Sequence, residues 1–185
     1  MQNDTPSIPA VSVKDDVFKI SFWVSQMFIL VATVAGVYLA ATLGFRQAIA
    51  YGDIQSDKNN YYLRLSLKGE LLDNVERVKQ YAKKLESGGF AARQQAFALD
   101  TFVWESMKFS NATLETPSDL LTESRNFYRQ VADINQKVMT NDIGGDTGAR
   151  RLQELVGRME KEVLPKFDSN LGSLKQKLAK SGITL

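Results

Sequence analysis

Hydrophobic and polar positions divide this chain into two stretches that follow different rules. From Ile20 to Phe45 no residue is charged, with Lys19 before the run and Arg46 after it. Beyond Tyr61 apolar residues recur instead at steps of three and four, with polar residues between them. At about 1.5 Å of rise per residue, a helix over the uncharged run exceeds the roughly 30 Å hydrocarbon core of a bilayer. The second pattern is that of amphipathic helices, each with one face to bury. The expected fold is all-α: a single N-terminal transmembrane helix over 20–45, then a bundle of about four amphipathic helices over 61–185, antiparallel or coiled-coil-like. Residues 1–19, with Pro6 and Pro9 among polar neighbours, read as a flexible tail. Residues 46–60 read as a juxtamembrane linker or an extension of the membrane helix.

Within the bundle region, Tyr61, Leu65, Leu72, Val75, Val78, Ala82 and Leu85 form the first apolar stripe. Ser87-Gly88-Gly89 ends it, since glycine takes a left-handed cap at no steric cost. A second helix is expected from about Phe90 to Phe109, with Phe90, Phe97 and Trp104 in one column and Phe102 and Phe109 in another. Such a helix is either buried on both sides or offers a face to a partner. Thr116-Pro117-Ser118-Asp119 predicts a third helix start, with a capping hydroxyl, proline at the first helical position and a carboxylate in the first turn. Its stripe is Leu120, Phe127, Val131, Ile134 and Val138. The run DIGGDTG (142–148) breaks the chain again. The last helix carries Leu152, Leu155, Met159, Val163, Phe167, Leu171, Leu174 and Leu178 on one side, opposite Arg150, Glu154, Arg158, Glu162 and Lys166. Pro165 removes a backbone donor and is expected to kink or split that helix near Leu164. No segment alternates with period two for long.

The uncharged run is longer than the apolar core of about 7–15 residues found in cleaved signal peptides, so an uncleaved anchor is expected. Trp23 and Tyr38 stand near its ends, where amphipathic rings favour the headgroup boundary. Lys14 and Lys19 on one flank nearly balance Arg46, Lys58 and Arg64 on the other, so the charge rule barely orients the chain. The expected layout, an inner amino tail and an exported body at a bacterial inner membrane, rests on how common that layout is. Ala32, Gly36, Ala40 and Gly44 recur at every fourth position and lie roughly on one helix face. Small side chains there let a second backbone approach closely, and such packing drives helix association in lipid. Gln26, about a turn inside the membrane, either takes a hydrogen-bond partner there or reaches the headgroups beside Ser25.

Composition narrows the chemistry. A formal net charge of +2 is too weak to argue for nucleic acid. The chain contains no cysteine and no histidine, which removes thiol chemistry, the commonest general base and the commonest transition-metal ligand. No phosphate-binding fingerprint, zinc spacing or serine elbow is present. Asp142 and Asp146 do not fit a calcium-loop spacing, and the glycine run ahead of Arg150 and Arg151 reads as a helix–helix turn before an anion loop. No catalytic residue, metal ligand or cofactor is therefore expected. In architecture alone the layout resembles the membrane-anchored helical bundles of bacterial receptors and envelope scaffolds. The leading expectation is a non-catalytic, single-pass subunit of a membrane complex. It would contact lipid and another membrane protein through the small-residue face, or assemble with copies of itself through a coiled coil of the last helix. The alternative is a membrane-anchored sensory or ligand-binding bundle, with Phe97, Phe102, Trp104 and Phe109 as its pocket or partner face.

Overall fold

The computed structural model describes residues 20–88, 91, 93 and 97–185; the expected tail over 1–19 lies outside them. Among the described residues every regular element is helical. In chain order these are α1 (Ile20–Ser87), α2 (Phe102–Met107), a single 3-10 turn (Asn111–Thr113), α3 (Ser118–Met139), α4 (Gly145–Arg158), a π-helical segment (Met159–Val163) and α5 (Leu164–Lys180). Residues 46–60 fall inside α1. The chain divides into two compact units, Met1–Tyr51 and Gly52–Leu185.

In the first unit, α1 between Ile20 and Tyr51 is long and apolar enough to cross a membrane, and none of its apolar window is buried. The hydroxyls of Thr33 and Thr42 donate to the carbonyls of Ile29 and Tyr38, each at 2.8 Å. Their polarity is thus spent inside the helix, as an apolar surrounding demands.

The second unit is built around Leu67, Leu71, Val78, Phe127, Leu152, Met159 and Phe167, which are essentially inaccessible to solvent. The stripes expected on the third and last helices are buried as spaced: Leu120, Phe127, Val131, Ile134 and Val138 on α3, and Leu152 to Phe167 across α4, the π segment and α5. The first stripe is buried as expected from Val75 through Val78 and Ala82 to Leu85, but ahead of Val75 it is out of phase. Leu65 and Leu72 remain 42 % and 44 % exposed, while Asn60, Arg64, Glu70 and Asn74 are buried. The buried face of α1 carries polar residues at positions that a hydrophobic count passes over.

Three local expectations change in detail. The second helix does not run from Phe90 to Phe109: residues 97–101 are not helical and α2 covers only Phe102–Met107. The cause lies on α1. Asn74 clamps Asp100 through both backbone groups, donating to its carbonyl at 2.6 Å and accepting its N–H at 2.9 Å. Carboxylates then take the first N–H groups of α2, Asp100 that of Phe102 and Glu70 those of Val103 and Trp104. Acidic groups suit a helix N-terminus, and here they also fix where it starts.

α3 begins at Ser118, with Pro117 as the flanking residue rather than the first helical one. The Thr116 hydroxyl does not cap it but donates to the Ala112 carbonyl at 3.0 Å. The last helix changes to π geometry over Met159–Val163, where the Leu164 N–H bonds the Met159 carbonyl, and Pro165 follows directly. A wider turn makes room for the proline ring, which would otherwise press on the carbonyl one turn earlier. In the first turn of α4, a Cβ at Gly148 would collide with Val138 Cγ2. That glycine is there so that α4 can pack closely.

Candidate functional site

Two surfaces carry the residues singled out by the sequence, and they differ in kind. The first is the small-residue face of α1. Ala32, Gly36, Ala40 and Gly44 are all exposed, and a Cβ added at Gly36 or Gly44 would meet no atom within 4 Å. The helix therefore holds an open shallow face with no occupant from the described residues. Gln26 is also exposed and lies two turns before Thr33.

The second surface lies in the body, and the four aromatics expected to act together are divided there. Phe102 and Phe109 are 77 % and 91 % exposed, with Phe109 beyond the end of α2. The column they formed on paper needed a helix that stops at Met107. Phe97 and Trp104 are half-buried and line a groove of about 560 Å³ with Leu99, Tyr128, Val131 and Asn135. Phe97 stacks on Tyr81 with ring centroids 4.2 Å apart, and Trp104 stacks on Tyr128 at 5.5 Å.

These rings are held by hydrogen bonds as well as by packing. The Tyr128 hydroxyl donates to Glu70 at 2.6 Å, and the Tyr81 hydroxyl donates to Asn135 Oδ1 at 2.8 Å. Burial pushes the Tyr128 hydroxyl well above the usual phenol range, and the Glu70 carboxylate adds to that shift. Burial raises Tyr81 in the same direction. Both tyrosines therefore remain neutral donors, which makes them poor proton-transfer groups and good positioning ones.

On the α3 side, Arg125 and Arg129 border the groove and are exposed. Neither forms an ion pair among the described residues, although Arg129 makes a long hydrogen bond of 3.5 Å to Asn126. Sequence reasoning passed over this pair. The available signal was two like charges at four-residue spacing, which disfavour a helix unless something compensates them.

The most elaborate polar cluster of the body is not open in this way. Arg64 is buried and donates to Asn170 at 2.8 Å, to Asn60 at 3.1 Å, to the Glu115 carbonyl and to Thr116. The Glu115 carboxylate accepts in turn from Asn60 at 2.6 Å and Ser56 at 2.7 Å. Burial lowers the Arg64 pKa, and the charges of Glu115 and Asp57 oppose that shift. Each guanidinium nitrogen has at least one acceptor, and four of the five N–H groups are used, so the cluster joins α1, the 110–116 turn and α5 as a structural tie. Among the described residues no group of three or more acidic side chains is placed to hold a metal ion.

Comparison with known proteins yields no match to a family model, a curated protein or a solved structure.

Proposed function

We propose that this chain is a non-catalytic, single-pass membrane subunit whose anchor packs on another membrane helix and whose helical body acts as scaffold, spacer or regulator in a complex. The observation that carries the reading is the open small-residue face of α1, where a Cβ at Gly36 or Gly44 would meet nothing within 4 Å among the described residues. Association in lipid relies on close backbone approach, and this face permits it. The body, by contrast, packs its apolar stripes against itself. The same reading places the anchor in a bacterial inner membrane with the body exported.

Purification in mild detergent, with identification of whatever accompanies the chain, tests the proposal. Gly36→Leu is expected to reduce that association by roughly ten-fold, the equivalent of about 1–2 kcal/mol of helix packing. Unchanged co-purification with this variant, or a solitary monomer from the start, would overturn it. A reporter fused after Leu185 reads the orientation.

A second reading is favoured by one specific observation, the groove lined by Phe97, Trp104 and Tyr128. In it the body is a ligand-binding bundle that signals through a partner. Ligand-dependent stabilisation of the full chain against thermal unfolding in nanodiscs supports that reading, and its absence across a ligand panel counts against it.

A further inference from the structure

We propose that the groove between residues 97–104 and α3 binds a small aromatic carboxylate, its ring laid against Trp104 and Phe97 and its anionic end held by Arg125 and Arg129. The inference rests on the ligand-binding reading of the body and is independent of what packs on the anchor.

Charge gives the first argument. Glu105, the one carboxylate in the groove lining, is engaged by Lys108. Asp133 stands four residues after Arg129, in register to neutralise it, yet Lys137 holds Asp133 at 2.8 Å. The wall of the groove thus carries two guanidiniums one helical turn apart with no ion-pair partner among the described residues. Like charges at this spacing oppose each other, and a carboxylate between them relieves both. The planar guanidinium fork is also suited to a carboxylate in a way that a lysine is not.

The second argument is that the aromatic surface is already fixed. Tyr128 is tied to Glu70 and stacked on Trp104, while Phe97 is stacked on Tyr81. Rings that cannot turn away lose little freedom when a flat ligand arrives. Asn135 adds a directed donor. Its Oδ1 is taken by Tyr81, which leaves Nδ2 with only a 3.7 Å contact to Met139 Sδ among the described residues.

Size decides between a compact ligand and an extended one. A volume of about 560 Å³ lies in the usual range for small-molecule sites, which are mostly apolar with a few placed polar groups. An acidic peptide would satisfy the arginines but would leave the aromatic floor without a matching ring.

Titration calorimetry on the full chain in nanodiscs, blanked with empty nanodiscs, tests this with 2-naphthoate, the neutral 2-naphthamide and pentaglutamate. Saturable naphthoate binding is expected, with naphthamide and pentaglutamate both clearly weaker. Arg125→Gln with Arg129→Gln should weaken naphthoate by roughly ten-fold or more, the loss of a charge-assisted hydrogen bond. Arg77→Gln, an exposed site outside the groove, should leave it unchanged. Equal affinity for naphthamide, or an unaffected double variant, would overturn the anionic class while the ligand-binding reading survives. Tighter binding of pentaglutamate would reassign the groove to an acidic protein segment. No saturable binding by any probe at millimolar concentration would overturn the proposal and the reading beneath it together.

Discussion

Between Ile20 and Tyr51 α1 leaves its large apolar side chains exposed, whereas between Asn60 and Leu85 the same helix buries Arg64, Glu70 and Asn74 beside Leu67, Leu71 and Val78. Hydrophobicity alone ranks these stretches in the wrong order of burial. The difference is where each finds its partners. Among the described residues the apolar side chains of the first stretch have no neighbour from another element, and they form the surface that lipid or another helix would cover. The polar side chains of the second are buried because each has its hydrogen bonds met by the loop and helices around it.

The largest effect that separates the two stretches is loss of packing. Phe167 is fully buried in the body, while Leu39 is 59 % exposed in the apolar stretch. Phe167→Ala is expected to destabilise the body by about 3–5 kcal/mol, through lost burial plus the cavity left behind. Leu39→Ala should leave body stability unchanged in denaturant unfolding of the full chain in detergent. A comparable loss at Leu39 would break the comparison, because it would mean that the exposed stretch contributes to the body's core.

The next effect sharpens the claim that buried polarity in α1 is structural. Arg64→Ala removes the donor shared by Asn60, Glu115, Thr116 and Asn170. Leaving those acceptors unpaired, the buried Asn60 and Thr116 above all, is expected to cost about 1–3 kcal/mol in the same assay. An unchanged midpoint would show that water replaces the guanidinium freely, and the network would then have no part in holding the 110–116 turn.

Sequence reasoning reached the architecture because both of its signals are local. An uncharged run and a three-and-four spacing each declare a helix without knowledge of the rest of the chain. The stripes of α3 and the last helix were legible for that reason, and Pro165 announced the break that the π segment makes. The phase of α1 was legible from Val75 to Leu85 but not ahead of it, since Leu65 and Leu72 look more buried than Asn60 and Glu70 until the partners of the latter are known. The length of α2 was hidden in the same way. Its start is set by Glu70 and Asn74, about thirty residues earlier in the chain, and no window around Phe90 to Phe109 contains that information. Of the candidate site residues, the small-residue face could be named from spacing because it is a property of one helix, and its positions are exposed. Spacing grouped Phe102 and Phe109 with Phe97 and Trp104 on the strength of one continuous helix to Phe109, which does not form, and it passed over Arg125 and Arg129, whose place beside the groove depends on the fold around α3.

pH gives a smaller test of the same polar face. The Tyr128 hydroxyl titrates above its ordinary value because it is buried and donates to Glu70. The unfolded chain therefore loses this proton first, at about pH 10. Above that pH the folded state binds more protons than the unfolded one, so stability falls as pH rises. Below it the two states hold the same proton and no slope arises from this group. Tyr128→Phe should flatten the alkaline limb of stability above about pH 10, with the residual slope due in part to Tyr81, which burial raises as well. An alkaline limb unaltered by Tyr128→Phe would mean that the hydroxyl reaches solvent and that the Glu70 contact does not govern it.

The smallest effect is expected where charge lies at the surface. Lys177 approaches Asp57 at 2.8 Å, yet its side chain is 64 % exposed. Its pKa is raised chiefly by the hydrogen bond to Asp57, with burial opposing. Solvent screens such a pair, and ordering a long side chain offsets much of the remaining attraction. Lys177→Met should therefore change stability by less than about 0.5 kcal/mol, and by less still at high salt. Arg64 and Lys177 both tie α1 to α5, one through Asn170 and the other through Asp57. If the lysine proved as costly to remove as the arginine, the distinction between a cation enclosed by its acceptors and one left in water would fail, and with it the reason why α1 buries charge in one stretch and exposes carbon in the other.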